Sequence, residues 1–369
     1  MHILFAGGGT AGHINPALAV AGYIKEKNPS TKISYIGTAT KLEAKLVPAA
    51  GYDFYTIDVA GFQRKITIKN IFRNIVAVEK MFSSSLRARK LLKELKPDIV
   101  VGTGGYVSGP VLREAVKLGI KTAIHEQNAY PGITTKALAP KVDRVMLAMK
   151  EAEEHLRVTT KPIITGNPVR VELTKISREE ARKVLGMDND RPLILSFGGS
   201  LGARPINEAV IELIKAHNGS GKYYHIHGAG KSGYESTVAA IREECGELSK
   251  EITVLEYINN MDICMAAADL VICRAGAITL SELAVCSKPS ILIPSPYVAE
   301  NHQFHNAMTL KNVNAAEIIE EKDLSGKLLT AKVVELLENS EKLQSMKKNS
   351  KKVAIFDSNE RIYNVLMEI

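Results

Sequence analysis

The chain has 369 residues, 45% hydrophobic content and a formal net charge of +8 at pH 7. This length is too great for one ordinary hydrophobic core and predicts two domains, and the composition excludes a disordered chain. No apolar run reaches the length needed to cross a bilayer, and the first residues run straight into a strand-like segment instead of a secretion signal, so we expect a cytoplasmic location.

The first half of the chain alternates short apolar runs with segments long enough for helices. The apolar runs cover residues 3–6, 33–36, 99–101, 122–125 and 145–147. This alternation predicts parallel strands joined by helices, with a buried sheet. The segment KPIITGNPVR then interrupts the pattern with Pro162, Gly166 and Pro168, so we place the interdomain linker near Ile163.

The second half repeats the pattern. Its apolar runs cover residues 193–197, 223–227, 252–255, 270–273 and 290–293. We therefore expect an α/β protein with two doubly wound parallel-sheet domains, at residues 1–163 and 164–346. The last segment, residues 347–369, is predicted to be helical with an interruption near Asp357 and to pack back on the first domain.

Two glycine clusters of similar design follow predicted strands in the two halves. GGGTAGH occupies residues 7–13 after ILFA, and GGSLGAR occupies residues 198–204 after LILSF. A strand that enters a helix through such a loop brings backbone N–H groups and the positive end of the helix dipole close to an anion. One such loop in each domain predicts a diphosphate substrate held in a cleft.

The first cluster also satisfies the dinucleotide pattern G-x-G-x-x-G through Gly7, Gly9 and Gly12. An NAD-dependent oxidoreductase would also need an acidic residue at the end of the next strand to bind the ribose hydroxyls. That strand, ISYIGT, ends in Gly37 and Thr38. The sequence therefore disfavours an oxidoreductase, which remains an alternative, and favours a nucleotide bound elsewhere in the cleft.

Positive charge is concentrated in the first half of the chain. Residues 1–163 hold 24 Lys and Arg against 13 Asp and Glu, whereas residues 164–369 hold 24 against 27. In residues 65–96, apolar side chains at near-helical spacing are surrounded by basic ones. The apolar set is Ile68, Ile71, Phe72, Ile75, Val76 and Phe82, and the basic set is Lys65, Lys69, Arg73, Lys80, Arg87, Arg89, Lys90, Lys93 and Lys96.

This basic amphipathic segment has two interpretations. It is either a surface for an anionic membrane or an ordinary helix with one core face and one solvated face. Nothing nearby offers the interleaved aromatic residues of a single-strand nucleic-acid binder, so no nucleic-acid partner is expected.

The sequence offers little for a metal ion. The four cysteines lack the paired spacing of a zinc site and are expected to be reduced thiols; they are Cys245, Cys264, Cys273 and Cys286. We find no Asp-x-Asp pair of the kind that holds a metal on a diphosphate. We therefore expect no metal and no cofactor, with the helix dipoles at the glycine loops in the cation's place.

Seven motifs occur in a characteristic order along essentially the whole chain. They are GGGTAGHINPALA, GTGGYVSGP, HEQNAYPG, GNPVR, GGSLGAR, CRAGAITLSE and HQFHNA. Together they resemble the MurG glycosyltransferases, the undecaprenyldiphospho-muramoylpentapeptide β-N-acetylglucosaminyltransferases of peptidoglycan synthesis. The resemblance implies a GT-B fold, in which two Rossmann-like domains face each other across a cleft.

The resemblance also implies an activity and a location. The activity is inverting transfer of GlcNAc from UDP-GlcNAc to the 4-hydroxyl of MurNAc in lipid I, which gives lipid II. The location is peripheral, on the cytoplasmic face of the cell membrane, through an apolar and basic patch on the first domain. Cell-wall synthesis proteins are expected as further partners.

Such a transfer requires a base for the acceptor hydroxyl and stabilisation of the departing diphosphate. His13 is a candidate base because imidazole titrates near neutral pH, and a capping or loop-stabilising role is the alternative. Ser200 and the amides after Gly202 can hold the UDP phosphates, unless Ser200 only satisfies its own turn. Arg170 offers a charged fork for diphosphate, with a surface ion pair as the alternative.

Glu282 is a candidate for the ribose hydroxyls, although Thr279 and Glu282 also match a helix capping box. The resemblance implies further contacts with UDP-GlcNAc: Thr10, Ala11, Gly12, Asn128, Ile258 (uracil, through its backbone), Ala277, Ile278, Thr279, Leu280, Ser281 and Gln303 (GlcNAc hydroxyls). It implies that the loop at residues 102–110 supports the acceptor diphosphate, with Gly104, Gly105, Tyr106 and Ser108.

The chain departs from the family pattern at two positions. Ala11 stands where the family loop usually has glycine, and His302 precedes Gln303 where the family usually has a second glutamine. Ala11 adds a methyl group near the expected ligand, and His302 leaves sugar recognition to Gln303. Two further alternatives are a UDP-GlcNAc 2-epimerase on the same fold and a non-enzymatic membrane adaptor.

Overall fold

The computed structural model describes residues 1–59 and 68–369, without the side chains of residues 68–81, 171 and 174. The chain forms two compact units. The first comprises Met1–Val169 and Asp357–Ile369, and the second comprises Arg170–Phe356. Each unit is built on its own all-parallel sheet. The predicted α/β architecture with two parallel-sheet domains is thereby confirmed.

The first unit contains a seven-stranded sheet with the order β3-β2-β1-β4-β5-β6-β7. Its strands are β1 (His2–Gly7), β2 (Lys32–Gly37), β3 (Asp53–Thr56), β4 (Ile99–Gly104), β5 (Lys121–Glu126), β6 (Arg144–Leu147) and β7 (Ile163–Ile164). Its helices before the second unit are α1 (Ala11–Lys27), α2 (Glu43–Ala49), α3 (Ile68–Leu95), α4 (Gly105–Lys117), α5 (Ile133–Leu138) and a 3₁₀ helix (Lys150–His155).

Apolar side chains cover both faces of this sheet. On one face, Leu91, Val111 and Leu138 bring α3, α4 and α5 into a buried cluster. On the other face, Ile14 of α1 and Val47 of α2 belong to a second cluster. The strands are therefore apolar on both sides, which explains their nearly continuous hydrophobic runs.

The second unit contains a six-stranded sheet with the order β10-β9-β8-β11-β12-β13. Its strands are β8 (Leu193–Phe197), β9 (Tyr224–Gly228), β10 (Ile252–Leu255), β11 (Leu270–Cys273), β12 (Ser290–Leu292) and β13 (Ala316–Ile318). Its α-helices are α6 (Arg178–Val184), α7 (Arg204–His217), α8 (Tyr234–Cys245), α9 (Met261–Ala267), α10 (Ala277–Val285), α11 (His302–Lys311), α12 (Gly326–Glu338) and α13 (Ser340–Lys352). Its 3₁₀ helices are Val171–Thr174, Ala299–Asn301 and Glu321–Asp323.

The bounds of the units differ from the expected ones at both places where the chain passes from one unit to the other. Ile163 pairs with Met146 as part of β7, so the first unit continues to Val169. Near the C-terminus, α13 belongs to the second unit, where Met346 is buried in the core. Of the expected C-terminal segment, residues 347–369, the helix α14 (Ser358–Met367) belongs to the first unit.

α14 joins the first unit through an apolar face. Ile362, Val365 and Leu366 are buried in the same cluster as Ile14. Tyr363 also makes an edge-to-face contact with Tyr23 of α1. Among the residues that the structure describes, no helix has both the length and the apolar character needed to cross a membrane.

Candidate active site

In the first unit the direction of chain winding reverses between β1 and β4. These strands are neighbours, and Gly7 pairs with Gly104 at their carboxyl ends. α1 leads from β1 to β2, whereas α4 leads from β4 to β5 on the other side. Helices that diverge in this way leave a crevice at the carboxyl edge of a parallel sheet, where such folds bind their ligands.

The turns after β1 and β4 approach each other closely because of their glycines. Gly105 has φ +77°, and a Cβ there would overlap the carbonyl oxygen of Gly8. Gly104 has φ +109°, and a Cβ there would lie 2.6 Å from Cδ2 of His13. Any other residue at either position would push the first glycine loop away from α4.

The His13 side chain is oriented by the first glycine loop. The N-cap of α1 is Thr10, so His13 does not cap this helix. Its Nδ1 lies 3.0 Å from the carbonyl oxygen of Gly8 and 3.3 Å from Oγ1 of Thr10. Because a carbonyl can only accept, Nδ1 carries the proton in the neutral ring and the lone pair is left on Nε2. The loop-stabilising role and the base role are therefore compatible.

A buried carboxylate that sequence reasoning missed lies under the same loop. Glu43, the first residue of α2, accepts hydrogen bonds from Gly9 N–H at 3.1 Å and from Thr38 N–H and Oγ1 at 3.0 and 2.7 Å. Burial raises the pKa of Glu43, but these hydrogen bonds together hold it below its ordinary value. β2 does not end in a carboxylate, as the sequence indicates, but Glu43 at the start of the next helix places a carboxylate against the loop.

The predicted acceptor residues after β4 divide into two groups. Tyr106 is 58% exposed in the first turn of α4. Ser108, in contrast, is fully buried; its single O–H lies within hydrogen-bond distance of the carbonyls of Ala6 and Gly104, and its oxygen accepts from the Gly104 N–H. The Ser108 hydroxyl therefore holds the β4–α4 turn, and the assignment of Ser108 to the acceptor diphosphate stays a prediction.

Asn128 is held by the buried carboxylate of Glu126, another residue that we did not single out within HEQN. Oε1 of Glu126 accepts from the backbone N–H and Nδ2 of Asn128 at 3.1 and 3.0 Å. Oε2 accepts from Gly132 N–H and from the Thr135 hydroxyl. Glu126 therefore fixes the loop after β5.

The first departure from the family pattern causes no backbone strain. Ala11 is exposed and is the first residue of α1, where helical φ and ψ suit alanine. Among the described residues, the positive φ of this loop falls on Gly9. Gly12 is partly exposed in the same helical turn.

In the second unit the winding reverses between β8 and β11. α7 leads from β8 to β9, and α10 leads from β11 to β12 on the other side. The second glycine loop joins β8 to α7, and CRAG joins β11 to α10. Both helix N-termini therefore open at the carboxyl edge of this sheet, where they favour an anion.

The second glycine loop is held by the turn after β9. The carbonyls of Ser200 and Leu201 accept from the N–H groups of Lys231 and Ser232, both at 3.3 Å. Since the N–H and C=O of a trans peptide point in opposite directions, the Leu201 N–H points away from that turn. A Cβ on Gly202 would overlap the backbone of Ala229, so glycine is required there. Ser200 itself is exposed.

Two predicted ligand-binding side chains of this unit contact each other. Nε of Arg170 donates to Oε1 of Glu282 at 3.0 Å. Burial raises the pKa of Glu282, and the nearby Arg170 opposes this rise. The contact uses Nε of Arg170 and Oε1 of Glu282. The groups of these side chains that are suited to a ligand are therefore Oε2 of Glu282 and the other guanidinium N–H groups of Arg170.

The capping-box alternative for Thr279 and Glu282 is excluded. The N-cap of α10 is Gly276, and Thr279 already lies in its first turn. The same sequence pattern does form a capping box at the start of α6, where Ser177 and Glu180 bond reciprocally. The pattern Ser/Thr-x-x-Glu thus caps a helix at Ser177 but not at Thr279.

The other predicted residues of α10 differ in how far their side chains are exposed. Leu280 is 1% exposed, which leaves its backbone for the predicted contact with UDP-GlcNAc. The Ser281 hydroxyl lies 3.2 Å from the carbonyl oxygen of Ala277. Ile278 and Thr279 are partly exposed.

The remaining donor candidates lie on neighbouring loops of the second unit. The side chain of Ile258 is buried against Gly228, which leaves its backbone for a ligand. Oε1 of Gln303 accepts from Ser295 N–H at 2.9 Å, so its Nε2 is the group suited to a sugar hydroxyl. His302, the second departure from the family pattern, places Nδ1 2.8 Å from the carbonyl of Ala299.

An Asp-x-Asp pair does occur, at Asp188 and Asp190. It precedes β8, at the end of the strand opposite the glycine loop, and these side chains bind Tyr224 and Arg178. Elsewhere in the described part of the chain, no group of three or more His, Cys, Asp or Glu side chains has the arrangement to hold a metal ion. All four cysteines are free thiols.

Two doubly wound sheets, each with a glycine-rich turn at its switch point, are typical of the GT-B fold, the class of nucleotide-sugar glycosyltransferases and related enzymes. Residues 3–147 match the Glycosyltransferase family 28 N-terminal domain, and residues 193–362 match the Glycosyltransferase family 28 C-terminal domain. The chain belongs to glycosyltransferase family 28.

Comparison with individual relatives identifies the members of the family that the chain resembles. The chain is 48% identical, over 100% of its own length and 98% of the relative, to the UDP-N-acetylglucosamine–N-acetylmuramyl-(pentapeptide) pyrophosphoryl-undecaprenol N-acetylglucosamine transferase of Acetivibrio thermocellus. The crystal structure of Acinetobacter baumannii MurG matches with TM-score 0.80 and 29% identity over 100% and 99% of the two chains. The predicted resemblance to the MurG glycosyltransferases is confirmed.

A UDP-GlcNAc 2-epimerase shares the fold alone. The enzyme from Neisseria meningitidis matches with TM-score 0.67 over 100% of both chains, at 13% identity. Architecture therefore does not separate the transferase from the epimerase, whereas the full-length identity to the Acetivibrio relative favours the transferase.

Proposed function

We propose that this enzyme transfers GlcNAc from UDP-GlcNAc to the 4-hydroxyl of MurNAc in lipid I, with inversion, to give lipid II. The observation that carries the proposal is the full-length, 48% identity to a transferase named for these substrates. The two switch points support it, since each unit has an edge suited to one phosphorylated substrate.

The second unit binds the donor. The N-termini of α7 and α10 and the guanidinium of Arg170 stabilise the diphosphate, which becomes more negative as the sugar leaves. Glu282 accepts from the ribose hydroxyls through the oxygen that Arg170 does not use. Ile258 contacts uracil through its backbone, and Gln303 donates to a GlcNAc hydroxyl.

The first unit supplies the base and binds the acceptor. Nε2 of His13 removes the proton of the attacking hydroxyl as its oxygen bonds to the anomeric carbon of GlcNAc and UDP departs. The N-terminal turn of α4, with Gly105 and Tyr106, faces the acceptor diphosphate. Asn128, held by Glu126, contacts the sugar.

The enzyme acts as a peripheral protein on an anionic membrane surface, where its lipid acceptor resides. Phe82 and Leu86 on α3 are 67% and 71% exposed, and Arg87, Arg89 and Lys90 are exposed beside them. Ala88 and Leu91 of the same helix are core residues. The core interpretation thus accounts for one face of α3 and leaves the apolar, basic face to the membrane. Lys65 lies outside the described residues, as do the side chains of residues 68–81.

Acceptor dependence tests the activity. UDP release from UDP-GlcNAc is measured with and without a lipid I analogue, and the lipid is analysed by mass spectrometry for one added N-acetylhexosamine. Acceptor-dependent release with a disaccharide-lipid product is expected. Acceptor-independent release with free ManNAc would support the epimerase, and donor binding without turnover would support an adaptor.

His13→Ala tests the base. We expect turnover to fall about 10²- to 10⁴-fold, the usual contribution of a general base, while UDP-GlcNAc binding in the second unit is preserved. His155→Ala, which removes an exposed histidine of the first unit, is the matched control and should retain full turnover. Wild-type turnover in His13→Ala would eliminate His13 as the base.

A further inference from the structure

A single peptide group, the one between Gly8 and Gly9, connects Glu43 to His13. Its N–H, on Gly9, donates to Oε2 of Glu43 at 3.1 Å. Its carbonyl oxygen, on Gly8, accepts from Nδ1 of His13 at 3.0 Å. The buried carboxylate and the imidazole are thus bound to opposite ends of one amide.

We propose that Glu43 is a positioning residue for His13, which it orients and makes more basic through the Gly8–Gly9 peptide. The inference rests on the proposed role of His13 as the base. It adds a carboxylate to the site that neither the glycine motif nor the mechanism above includes.

The physical basis is cooperative polarisation of hydrogen bonds. In a trans peptide the N–H and C=O are antiparallel, so a negatively charged acceptor on the N–H pushes electron density toward the carbonyl oxygen. The Gly8 oxygen then accepts more strongly from Nδ1–H. This fixes the tautomer with the lone pair on Nε2 and stabilises the positive ring that forms when Nε2 takes the acceptor proton.

The proton balance is simple. The hydroxyl proton moves to Nε2, the hydroxyl oxygen bonds to the anomeric carbon, and the bond from that carbon to UDP breaks. Nδ1 keeps its proton, and no proton passes through the peptide. Glu43 stays ionised throughout and acts only by its charge and position.

The loop is shaped to let the carboxylate reach the peptide. A Cβ on Gly8 would overlap the Glu43 carboxylate, and Gly9 has φ +87°, which favours glycine. Thr38 satisfies one carboxylate oxygen with two donors, so the other oxygen is directed to Gly9. Glu43 lies at the N-terminus of α2, where the helix dipole favours its charge.

Other titratable groups near Glu43 do not compete with this role. On β2, Tyr35 interacts electrostatically with Glu43, and burial raises its pKa above the ordinary value, so it stays neutral. Thr38, the other side chain bonded to the carboxylate, does not titrate in the working pH range.

Glu43→Gln is the main test, because it removes the charge at nearly constant size. We expect kcat to fall about 10- to 100-fold, as for other residues that orient a functional histidine, with KM for UDP-GlcNAc unchanged. The acid limb of the pH profile of kcat should move to lower pH, because the His13 ring is then less easily protonated. A purely structural role would lower activity without moving that limb.

Nitrogen NMR of the imidazole gives a readout that does not depend on turnover. In the wild-type chain the ¹⁵N shifts of His13, assigned with His13→Ala, should report the Nδ1–H tautomer. In Glu43→Gln they should report a mixture of tautomers. An unchanged acid limb together with an unchanged tautomer would overturn the proposal.

Two controls keep the result interpretable. Glu114→Gln neutralises another buried carboxylate of the first unit, which pairs with Lys117, and should leave the acid limb and the tautomer unchanged. Glu43→Asp keeps the charge on a shorter side chain and should fall between wild type and Glu43→Gln in both readouts. If Glu43→Gln does not fold, a wild-type acid limb and tautomer in Glu43→Asp overturn the proposal.

The double variant His13→Ala, Glu43→Gln separates this inference from the proposed function. If Glu43 acts through His13, the second change adds no further loss to the residual turnover. If His13→Ala retains full turnover, the base assignment fails. If His13→Ala loses turnover but the two losses multiply in the double variant, the base assignment stands and the proposal that Glu43 acts through His13 is overturned.

Discussion

Arg170 and Glu282 show how one contact can serve two predicted roles. They form an ion pair in which Glu282 is 8% exposed as a residue and Arg170 is half-exposed. The contact fixes the orientation of the buried carboxylate, because one of its oxygens is bound to the Arg170 guanidinium. It uses one carboxylate oxygen and the guanidinium Nε, so the other carboxylate oxygen and the outer guanidinium nitrogens remain for the proposed contacts with UDP.

Glu282→Gln should therefore impair ribose recognition specifically. We expect UDP to bind about 10- to 100-fold more weakly, since a hydrogen bond to a charged group contributes about 1.5–3 kcal/mol. The wild-type chain should prefer UDP to 2′-deoxy-UDP in calorimetry, and Glu282→Gln should lose much of that preference. Glu317→Gln, at a carboxylate paired with Lys311 and Lys342, is the matched control. Full discrimination in Glu282→Gln would contradict the ribose assignment.

Strands β8 and β9 and helix α7 share a chain of buried imidazoles. The Ser196 hydroxyl lies 2.8 Å from His225 Nε2 and from His227 Nδ1, and His217 Nε2 lies 3.1 Å from His225 Nδ1. Burial lowers the pKa of His217 and of His227 to about 4, and that of His225 well below its ordinary value. The cluster is therefore neutral in the folded unit at pH 7.

Acid should destabilise the second unit through this cluster. Each histidine has a lower pKa folded than unfolded, so the unfolded chain binds more protons between about pH 6.5 and 4, and the free energy of unfolding falls as the pH drops through that window. From pH 7 to 5 the loss is about 2 kcal/mol for each histidine that stays neutral.

Thiol labelling can follow this loss, because all four cysteines lie in the second unit. Urea titrations at pH 7 and 5, read by labelling Cys273 with a dipyridyl disulfide, should show the difference. His227→Gln should reduce the pH dependence, and the exposed-site control His155→Gln should not. Equal pH dependence in all three chains would contradict the assignment.

The molecule as a whole combines two units of the same design with different surfaces. Both sheets reverse their winding beside a glycine-rich turn, but the excess positive charge belongs to the first half of the chain. The exposed apolar pair Phe82 and Leu86 lies in that half. This asymmetry fits a first unit that meets the lipid acceptor and a second unit that binds the nucleotide sugar.

Removing the apolar pair should weaken membrane binding. Phe82→Ser with Leu86→Ser should lower partitioning into phosphatidylglycerol vesicles about tenfold or more, because even partial burial of two such side chains exceeds about 1.4 kcal/mol. Wild-type binding should fall with salt and with phosphatidylcholine in place of the anionic lipid. Val184→Ser, at an exposed apolar residue of the second unit, is the control. Unchanged partitioning of the double variant in flotation assays would contradict the membrane surface.

Parts of the site were predictable and parts were not, for identifiable reasons. The glycine loops and His13 are local features, and the structure places them at a strand–helix turn as expected. The buried hydroxyl of Ser108 bonds to the backbone of its own turn, and a motif does not show which way a hydroxyl points. The pattern Ser/Thr-x-x-Glu gives a capping box at Ser177 and none at Thr279, because Ser177 is the N-cap of α6 whereas α10 already begins after Gly276.

The sequence by itself determined the alternation of strands and helices, the two phosphate-type turns and the family, because these depend on residues adjacent in the chain and on the order of motifs. Only the tertiary structure decided which distant groups meet. Glu43 reaches Gly9 across 34 residues and Arg170 reaches Glu282 across 112, and both contacts depend on how the chain returns to its sheet. Periodicity records which face of an element is buried, whereas a hydrogen bond between elements needs the spatial order of strands, which no local pattern contains.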